Sequence, residues 1–207
     1  MGQSLRLPAK PIAGLVTSLV LLAPLATHGH PVTVEPVREE GVDSAHVRLE
    51  SAVLNEINYV RTHPREYARR LGGDPAGREA AAYLEALPPE APLAPTAGLA
   101  AAAAEHAADQ GSRGGFDHVG ADGSSAGERM RRHGVWSGIF AEEMSLGQTS
   151  AEGVVRQLIV DSGDPAGRHR RDLLDPLLRR AGVGCAPHKL DTMVCVIDIA
   201  AAPPPSS

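Results

Sequence analysis

The sequence predicts an α/β fold, in which helices pack in layers against a small, mainly antiparallel sheet. Its 207 residues are 43% hydrophobic and 22% charged, a globular composition with length for one domain, or at most two. Segments with helical apolar spacing alternate with a few strand-like segments. The last two strand-like segments lie close enough along the chain to pair as a hairpin, and this order predicts the layered arrangement.

The N-terminal 29 residues have the features of a secretory signal peptide. Arg6 and Lys10 precede an uncharged apolar run at 12–26, and a small-residue exit follows around Ala26 to Gly29. The run is shorter than the roughly 20 residues that cross a bilayer. A membrane anchor is the alternative. We therefore expect a secreted or periplasmic protein with no integral membrane span after signal removal.

The rest of the chain divides into a flexible leader at 30–43, one domain at 44–200 and a disordered tail at 201–207. In the first helix, Val53, Ile57 and Val60 form one apolar stripe, and the helix should stop before Pro64. Further helices are predicted from caps, stops and apolar spacing at 64–70, 79–86, 96–110, 125–134 and 149–162, with a helical turn at 172–174. Two of them open with the capping-box patterns Ser125-x-x-Glu128 and Thr149-x-x-Glu152.

Strands are predicted at 141–146, 181–186 and 192–200, and five glycines make 111–123 a loop. Cys185 and Cys195 are the only cysteines and flank the turn of the last hairpin. In an exported chain this favours a cross-strand disulfide. A reactive pair is the alternative, although the two residues lack the Cys-x-x-Cys spacing.

Several classes of function are disfavoured by the sequence. The formal net charge of −5 argues against nucleic-acid binding, which usually shows a basic excess. There is no P-loop, dinucleotide-binding glycine motif, nucleophile elbow, His-Glu-x-x-His pattern or zinc-finger spacing of cysteines. Any chemistry must therefore come from polar residues in loops and at the ends of helices and strands.

The candidate site residues are His118, Glu142, Glu143, Asp161 and His169. Each has a simpler interpretation, since loop histidines are usually solvated and adjacent glutamates are usually surface charges. In a strand, however, one of two adjacent glutamates must point inward. Two histidines and two carboxylates are able to form a hydrated divalent-metal site, but their spacing alone does not establish one. His106, in the middle of an alanine-rich helix, is interpreted as a packed core histidine.

The ordered set of motifs resembles bacterial domains of the CAP superfamily, the cysteine-rich secretory, antigen 5 and pathogenesis-related group, also called SCP. The resemblance covers about residues 50–200. It is carried by the segments Leu54–Ala68, Leu99–Gln110, Phe116–Gly123, Glu128–Arg129, Ala141–Glu143, Ser150, Leu158–Pro165, His169–Arg170 and Gly182–Gly184.

This resemblance implies a three-layer α-β-α sandwich with a central open cleft lined by two histidines and two acids. Carried over, the four cleft residues are His118, Glu142, Asp161 and His169. The two histidines are the implied ligands of a divalent metal, Zn²⁺ or Mg²⁺. Two departures concern the site, because Glu143 stands where the family usually has Asn, and Arg168 where a glycine often precedes the histidine.

The resemblance does not determine a reaction, because one fold supports many functions. We expect an extracellular binding or interaction module with a metal-capable cleft, whose partner is an extracellular protein or a small lipid. One alternative is a metal-assisted, peptidase-like hydrolase with Glu142 as base. The other is a small-lipid or sterol carrier with an apolar groove between helices, although ligand pockets are often lined by aromatic residues and only 3% of this chain is aromatic.

Overall fold

Seven helices and four strands follow one another in the computed structural model, which describes residues 40–136, 138–164 and 166–202, with side chains from residue 46 onward. The helices are α1 (Glu40–Thr62), α2 (Pro64–Ala68), α3 (Pro75–Ala86), α4 (Ala97–Arg113), α5 (Ala126–Arg132), α6 (Ala151–Val160) and α7 (Arg168–Leu174). The strands are β1 (Ala94–Pro95), β2 (Phe140–Leu146), β3 (Leu178–Pro187) and β4 (Met193–Ala201). The predicted signal peptide, most of the leader and most of the tail lie outside the described residues.

The four strands form one sheet in the order β1-β3-β4-β2. The pairs β3–β4 and β4–β2 are antiparallel, whereas the short β1 runs parallel to β3. The sheet is therefore mixed but mainly antiparallel. β1 was not predicted, because two residues in a proline-rich connection carry no alternating pattern.

Helices cover both faces of the sheet and complete the predicted three-layer sandwich. The larger core lies between the sheet and α1, α3, α6 and α7, and includes Val53, Ile57, Leu158, Ile197 and Ile199. On the opposite face, alanines and leucine of α4 pack on alternate residues of β4. Successive residues of a strand point to opposite faces, so neighbours in β2 reach different layers.

α4 lies unusually close to the sheet because β3 has two glycines beneath it. A Cβ at Gly182 would come within 1.9 Å of the backbone nitrogen of Ala100, and a Cβ at Gly184 within 2.2 Å of that of Ala104. No side chain fits at such distances. The sequence Gly182-Val183-Gly184 thus sets the spacing of one whole layer.

Several predicted boundaries are corrected. α1 begins at Glu40 and α4 continues to Arg113, ending at Gly114, which has a left-handed φ of 71°. Gly111, predicted as the stop, lies inside α4, where a Cβ would clash with the carbonyl of Pro187. The cap of α6 is Ser150, not Thr149, since the Ser150 side chain accepts a hydrogen bond from the backbone N–H of Gly153.

The predicted disulfide is present. Cys185 of β3 and Cys195 of β4 stand opposite each other in the hairpin register, with their Cα atoms 4.1 Å apart. Within the described residues, no helix combines the length and apolar character needed to span a membrane.

Candidate functional site

The first half of the site joins the loop after α4 to the edge strand β2. His118 lies in the loop between α4 and α5, and its Nδ1 is 2.8 Å from Oε1 of Glu142 in β2. A carboxylate only accepts hydrogen bonds, so Nδ1 is the protonated nitrogen and Nε2 is left for other partners. The Glu142 side chain is 3% exposed and that of His118 is 57% exposed. We call this pair, together with Arg129, the His118 arm.

Arg129 of α5 holds the His118 arm together from inside the protein. Its side chain is 1% exposed. It donates to Oε2 of Glu142 at 2.5 Å, to the His118 carbonyl at 3.2 Å and to the Ser124 carbonyl at 2.8 Å. Burial alone would raise the pKa of Glu142, but the hydrogen bonds from His118 and Arg129 outweigh it and lower that pKa. Glu142 is therefore ionised, and both of its oxygens are occupied.

Two buried polar groups lie behind Glu142. His106 of α4 donates from Nε2 to the Asp117 carbonyl at 2.8 Å, which fixes the loop next to His118. Burial lowers the pKa of His106 and keeps it neutral, as expected for the core histidine predicted here. Asp198 of β4 stands opposite Glu142 in the register. Burial and the Glu142 charge raise the pKa of Asp198 to about 9, so this acid is protonated at neutral pH.

The second half of the site lies at the junction of α6 and α7. Asp161 ends α6 in the left-handed conformation, with a φ of 49°. Its Oδ1 is 2.7 Å from Nδ1 of His169, and its Oδ2 accepts the His169 backbone N–H at 3.0 Å. His169 was predicted to follow a helix in a loop, but it stands in the first turn of α7. We call Asp161, His169 and the neighbouring Glu143 the His169 arm.

Both glutamates of β2 are buried, on opposite faces of the sheet, whereas the sequence required only one of them to point inward. Glu143, on the α6 side, is 2% exposed. Its Oε2 has no hydrogen-bond partner among the described residues and lies 3.8 Å from Nε2 of His169. Burial, followed by the nearby acids Asp172 and Asp161, raises its pKa to about 9. Glu143 is therefore neutral at pH 7, which suits a position where the family usually has an amide.

One cavity of about 430 Å³ brings the two arms together around the edge of β2. His118, Asp161 and His169 line it, whereas Glu142 lies behind His118 and is not part of the wall. The remaining lining residues are Phe116, Asp117, Met144, Gln157, Leu158, Ser162, Gly163, Asp164 and Arg168. Three of the four predicted cleft residues thus share one surface, and the fourth orients one of them.

Within the described part of the chain, no group of three or more His, Cys, Asp or Glu side chains is arranged to hold a metal ion. The donor set that remains is two imidazoles, each with Nδ1 on a carboxylate and with no hydrogen bond to Nε2 from the residues that the structure describes. A carboxylate on the far nitrogen is the usual partner of a metal-binding histidine. Both imidazoles thus have the tautomer and the orienting carboxylate that a metal-binding histidine needs, and both line the same cavity.

Two residues of the site were missed from the sequence. Arg129 is one of three arginines in α5, and nothing in their spacing distinguishes the buried one. Asp198 did leave a signal, because it is the only charged residue in the apolar segment Met193–Ala201. A single acid in a buried strand must have a special partner or a raised pKa.

Comparison with known proteins agrees with this architecture. Residues 54–198 match the family described as CAP, the cysteine-rich secretory protein family. None of the curated proteins compared with the chain matches it.

Two solved structures of bacterial proteins share the fold. One is an extracellular protein containing an SCP domain from Bacillus anthracis, with 17% identity and a TM-score of 0.52 over 80% of this chain. The alignment covers 45% of that protein, so this chain spans less than half of its length. The other is an outer surface protein from Borrelia burgdorferi, with 14% identity and a TM-score of 0.50, covering 73% of this chain and 92% of that one.

Proposed function

The chain belongs to the CAP, or cysteine-rich secretory protein, family, and from its cleft we propose that it is an extracellular binding module in which His118 and His169 hold a divalent cation. The observation that carries the proposal is the repeated arrangement of the two imidazoles. Each lines the same cavity and has Nδ1 fixed by a buried carboxylate. When bound, the cation would supply a positive, oxygen-accepting centre for a ligand in the cleft.

The donor chemistry favours Zn²⁺ over Mg²⁺ as the cation. Imidazole nitrogen suits Zn²⁺, whereas Mg²⁺ prefers carboxylate and water oxygens in near-octahedral geometry. The carboxylates of Glu142 and Asp161 are already engaged with the imidazoles. Their role in this proposal is to orient His118 and His169.

A binding role is better supported than a hydrolytic one. A general base needs a free oxygen and a pKa near the working pH. Glu142, the predicted base, has one oxygen on Arg129 and the other on His118, and its pKa is lowered. A lipid carrier has less support, because the groove between α1, α4 and β3 has a volume of about 260 Å³, below the range typical of ligand pockets.

Three observations support an extracellular location. Residues 1–29 have the pattern of a secretory signal. The Cys185–Cys195 disulfide suits an oxidising compartment. The similar solved structures are described as an extracellular protein and an outer surface protein.

Calorimetric titration of the purified chain with Zn²⁺ tests the proposal. We expect one Zn²⁺ per chain, with affinity reduced at least tenfold by His118→Ala or His169→Ala and abolished by the double substitution. His133→Ala is the matched control, because Nε2 of His133 also lies on a carboxylate, 2.7 Å from Glu105, but outside the cleft. Equal affinity in the double variant and the control would refute the metal-binding proposal.

A further inference from the structure

β2 is an edge strand whose free side faces the cleft. The sheet order places β4 on one side of β2, and no strand of the described part of the chain lies on the other. At the two ends of this pair, Ala201 donates to the Ile139 carbonyl and Gly147 donates to the Met193 carbonyl. In an antiparallel pair the bonded residues alternate, so the odd-numbered residues of β2 bond to β4. The even-numbered residues therefore direct both N–H and C=O to the free side.

The outward groups at the centre of β2 belong to Glu142 and Met144. Toward one end, the outward carbonyl of Leu146 accepts a hydrogen bond from Gln157. Within the described residues, no hydrogen bond from outside the sheet reaches the backbone of Glu142 or Met144. Two adjacent sets of donor and acceptor, spaced as in a β-ladder, are left for an external partner.

The cavity reaches this free edge at Met144, between walls that stand on both faces of the sheet. Met144 points to the α4 side, where Phe116 and His118 form one wall. Gln157 and His169 form the opposite wall from the α6 and α7 side. A slot with two walls admits a single extended chain, and alternate side chains of such a chain would face the two histidines in turn.

Each ionisable side chain that lines the slot already has a side-chain partner. Among the lining residues, His118 pairs with Glu142, His169 with Asp161, and Arg168 with Asp164. The remaining charged lining residue, Asp117, lies 3.5 Å from Arg113. Among the described residues, the polar groups of the slot that still lack a partner are the two imidazole Nε2 atoms and the outward backbone groups of β2. The complement of the backbone groups is another backbone.

We propose that the cleft binds an extended polypeptide segment of a partner protein, which adds as a strand to the free edge of β2 at Glu142 and Met144. The inference rests on the proposed binding function and names the class of its ligand. Main-chain hydrogen bonds would give affinity, and the two walls would give side-chain preference, as in other cases of strand addition. Pairing with the folded sheet edge of a second copy is disfavoured, because the walls on both faces of β2 leave room for a single strand.

The probe is a phage-displayed library of random linear dodecapeptides selected on the purified chain. A selected peptide is then resynthesised with single N-methyl groups along its length. We expect N-methylation to abolish binding at every second residue only, because strand pairing uses alternate N–H groups. Amide exchange should slow at Glu142 and Met144 when the peptide binds.

A pair of variants tests the edge from the protein side. Met144→Pro removes the outward N–H and leaves the ladder to β4 intact, because proline is tolerated at edge positions whose N–H faces outward. Met144→Val keeps the N–H and has a side chain close in size to that of proline, so it is the reference variant. We expect the proline variant to bind the peptide about tenfold more weakly than the valine variant, from one lost hydrogen bond and the added ring.

These experiments test peptide binding independently of cation binding. An empty selection, a peptide insensitive to the N-methyl pattern, or equal binding by the two Met144 variants would overturn strand addition. Dimers detected by light scattering and lost in Met144→Pro would also overturn it, in favour of self-pairing. Both Met144 variants keep the imidazoles, so Zn²⁺ titration of the same samples shows separately whether the proposed cation site fails.

Discussion

The two arms of the cleft orient their imidazoles in the same way but differ in the charges buried behind them. In each arm, an exposed imidazole is fixed by a buried carboxylate, and a second buried acid with a pKa raised to about 9 lies behind it. The His118 arm has a buried cation, Arg129, against its carboxylate. In the His169 arm, no arginine or lysine among the described residues is paired with Asp161, and the neighbouring buried group is Glu143. Both arms therefore contain a protonated acid, but only the His118 arm also has a buried ion pair.

The largest expected effect comes from removing the buried cation. Arg129→Met leaves Glu142 charged, buried and without its guanidinium, and we expect a loss of about 3–5 kcal/mol in the free energy of unfolding. Urea unfolding followed by circular dichroism measures it. Arg131→Met, at an exposed position of the same helix, is the control and should change stability by less than about 0.5 kcal/mol. Similar losses in the free energy of unfolding of both variants would show that Arg129 does not stabilise the buried charge of Glu142.

The next effect is the pH dependence of the His169 arm. The pKa of Glu143 is about 9 in the folded protein and 4.5 as its ordinary value. A raised pKa means that the folded state binds a proton that the unfolded state has released. The contribution of Glu143 to stability is therefore fully present below about pH 4.5 and is lost as the pH rises toward 9.

Glu143→Gln should remove this dependence. We expect the variant to unfold like the wild type at pH 4 and to be more stable by about 2–3 kcal/mol at pH 7. Urea unfolding at a series of pH values, in EDTA, measures the difference. Asp198→Asn is the matched substitution in the His118 arm and should give a comparable gain, since its pKa is also raised to about 9. A gain that does not vary with pH would contradict the protonated state.

A smaller effect is expected on the cation when the orienting carboxylate of one arm is neutralised. Asp161→Asn keeps a residue that tolerates the left-handed backbone and an oxygen for the His169 N–H, but removes the charge behind the imidazole. We expect Zn²⁺ affinity to fall about 10- to 100-fold, the usual effect of losing such a partner. Titration calorimetry measures it, with the exposed Asp191→Asn as control. Unchanged Zn²⁺ affinity would show that Asp161 does not orient His169 for the cation.

The smallest effect concerns Arg168, which directly precedes His169. Its side chain is 75% exposed and pairs at 2.5 Å with Asp164, whose side chain is 13% exposed, so the guanidinium lies largely in solvent. We expect Arg168→Ala to change the free energy of unfolding by less than about 0.5 kcal/mol. Thermal unfolding at low and high salt tests this. A loss near that of Arg129→Met would mean that Arg168 is the missing cation of the second arm.

The parts of the site that could be predicted are those fixed by local chemistry. Positions in loops and at element ends made His118, Glu142, Asp161 and His169 candidates, and the resemblance of the ordered motifs to the CAP superfamily assigned them to one cleft. The layered fold followed from helical spacing and a terminal hairpin. The parts that could not be predicted depend on tertiary burial, since the same residue type is a solvated charge at Arg131 and a buried clamp at Arg129.

Boundaries failed where two local signals competed. Thr149 and Ser150 are adjacent capping residues, and only the fold decides which side chain meets the helix. Gly111 was predicted as a helix stop, yet glycine serves there to let α4 approach the Pro187 carbonyl. In both places the residue type fits two local roles, and only the tertiary contacts decide between them.

The two glycines under α4 limit which substitutions this fold accepts as its sequence diverges. Sequence identity with solved structures of the same fold has drifted to 14–17%, yet a mutation to alanine at Gly182 or Gly184 would push α4 away from the sheet. α4 also holds His106, which fixes the loop next to His118. Natural variation at these two positions is therefore constrained by the width of the cleft as well as by stability. A methyl group there would alter the binding surface from a distance, without touching any residue that meets the ligand.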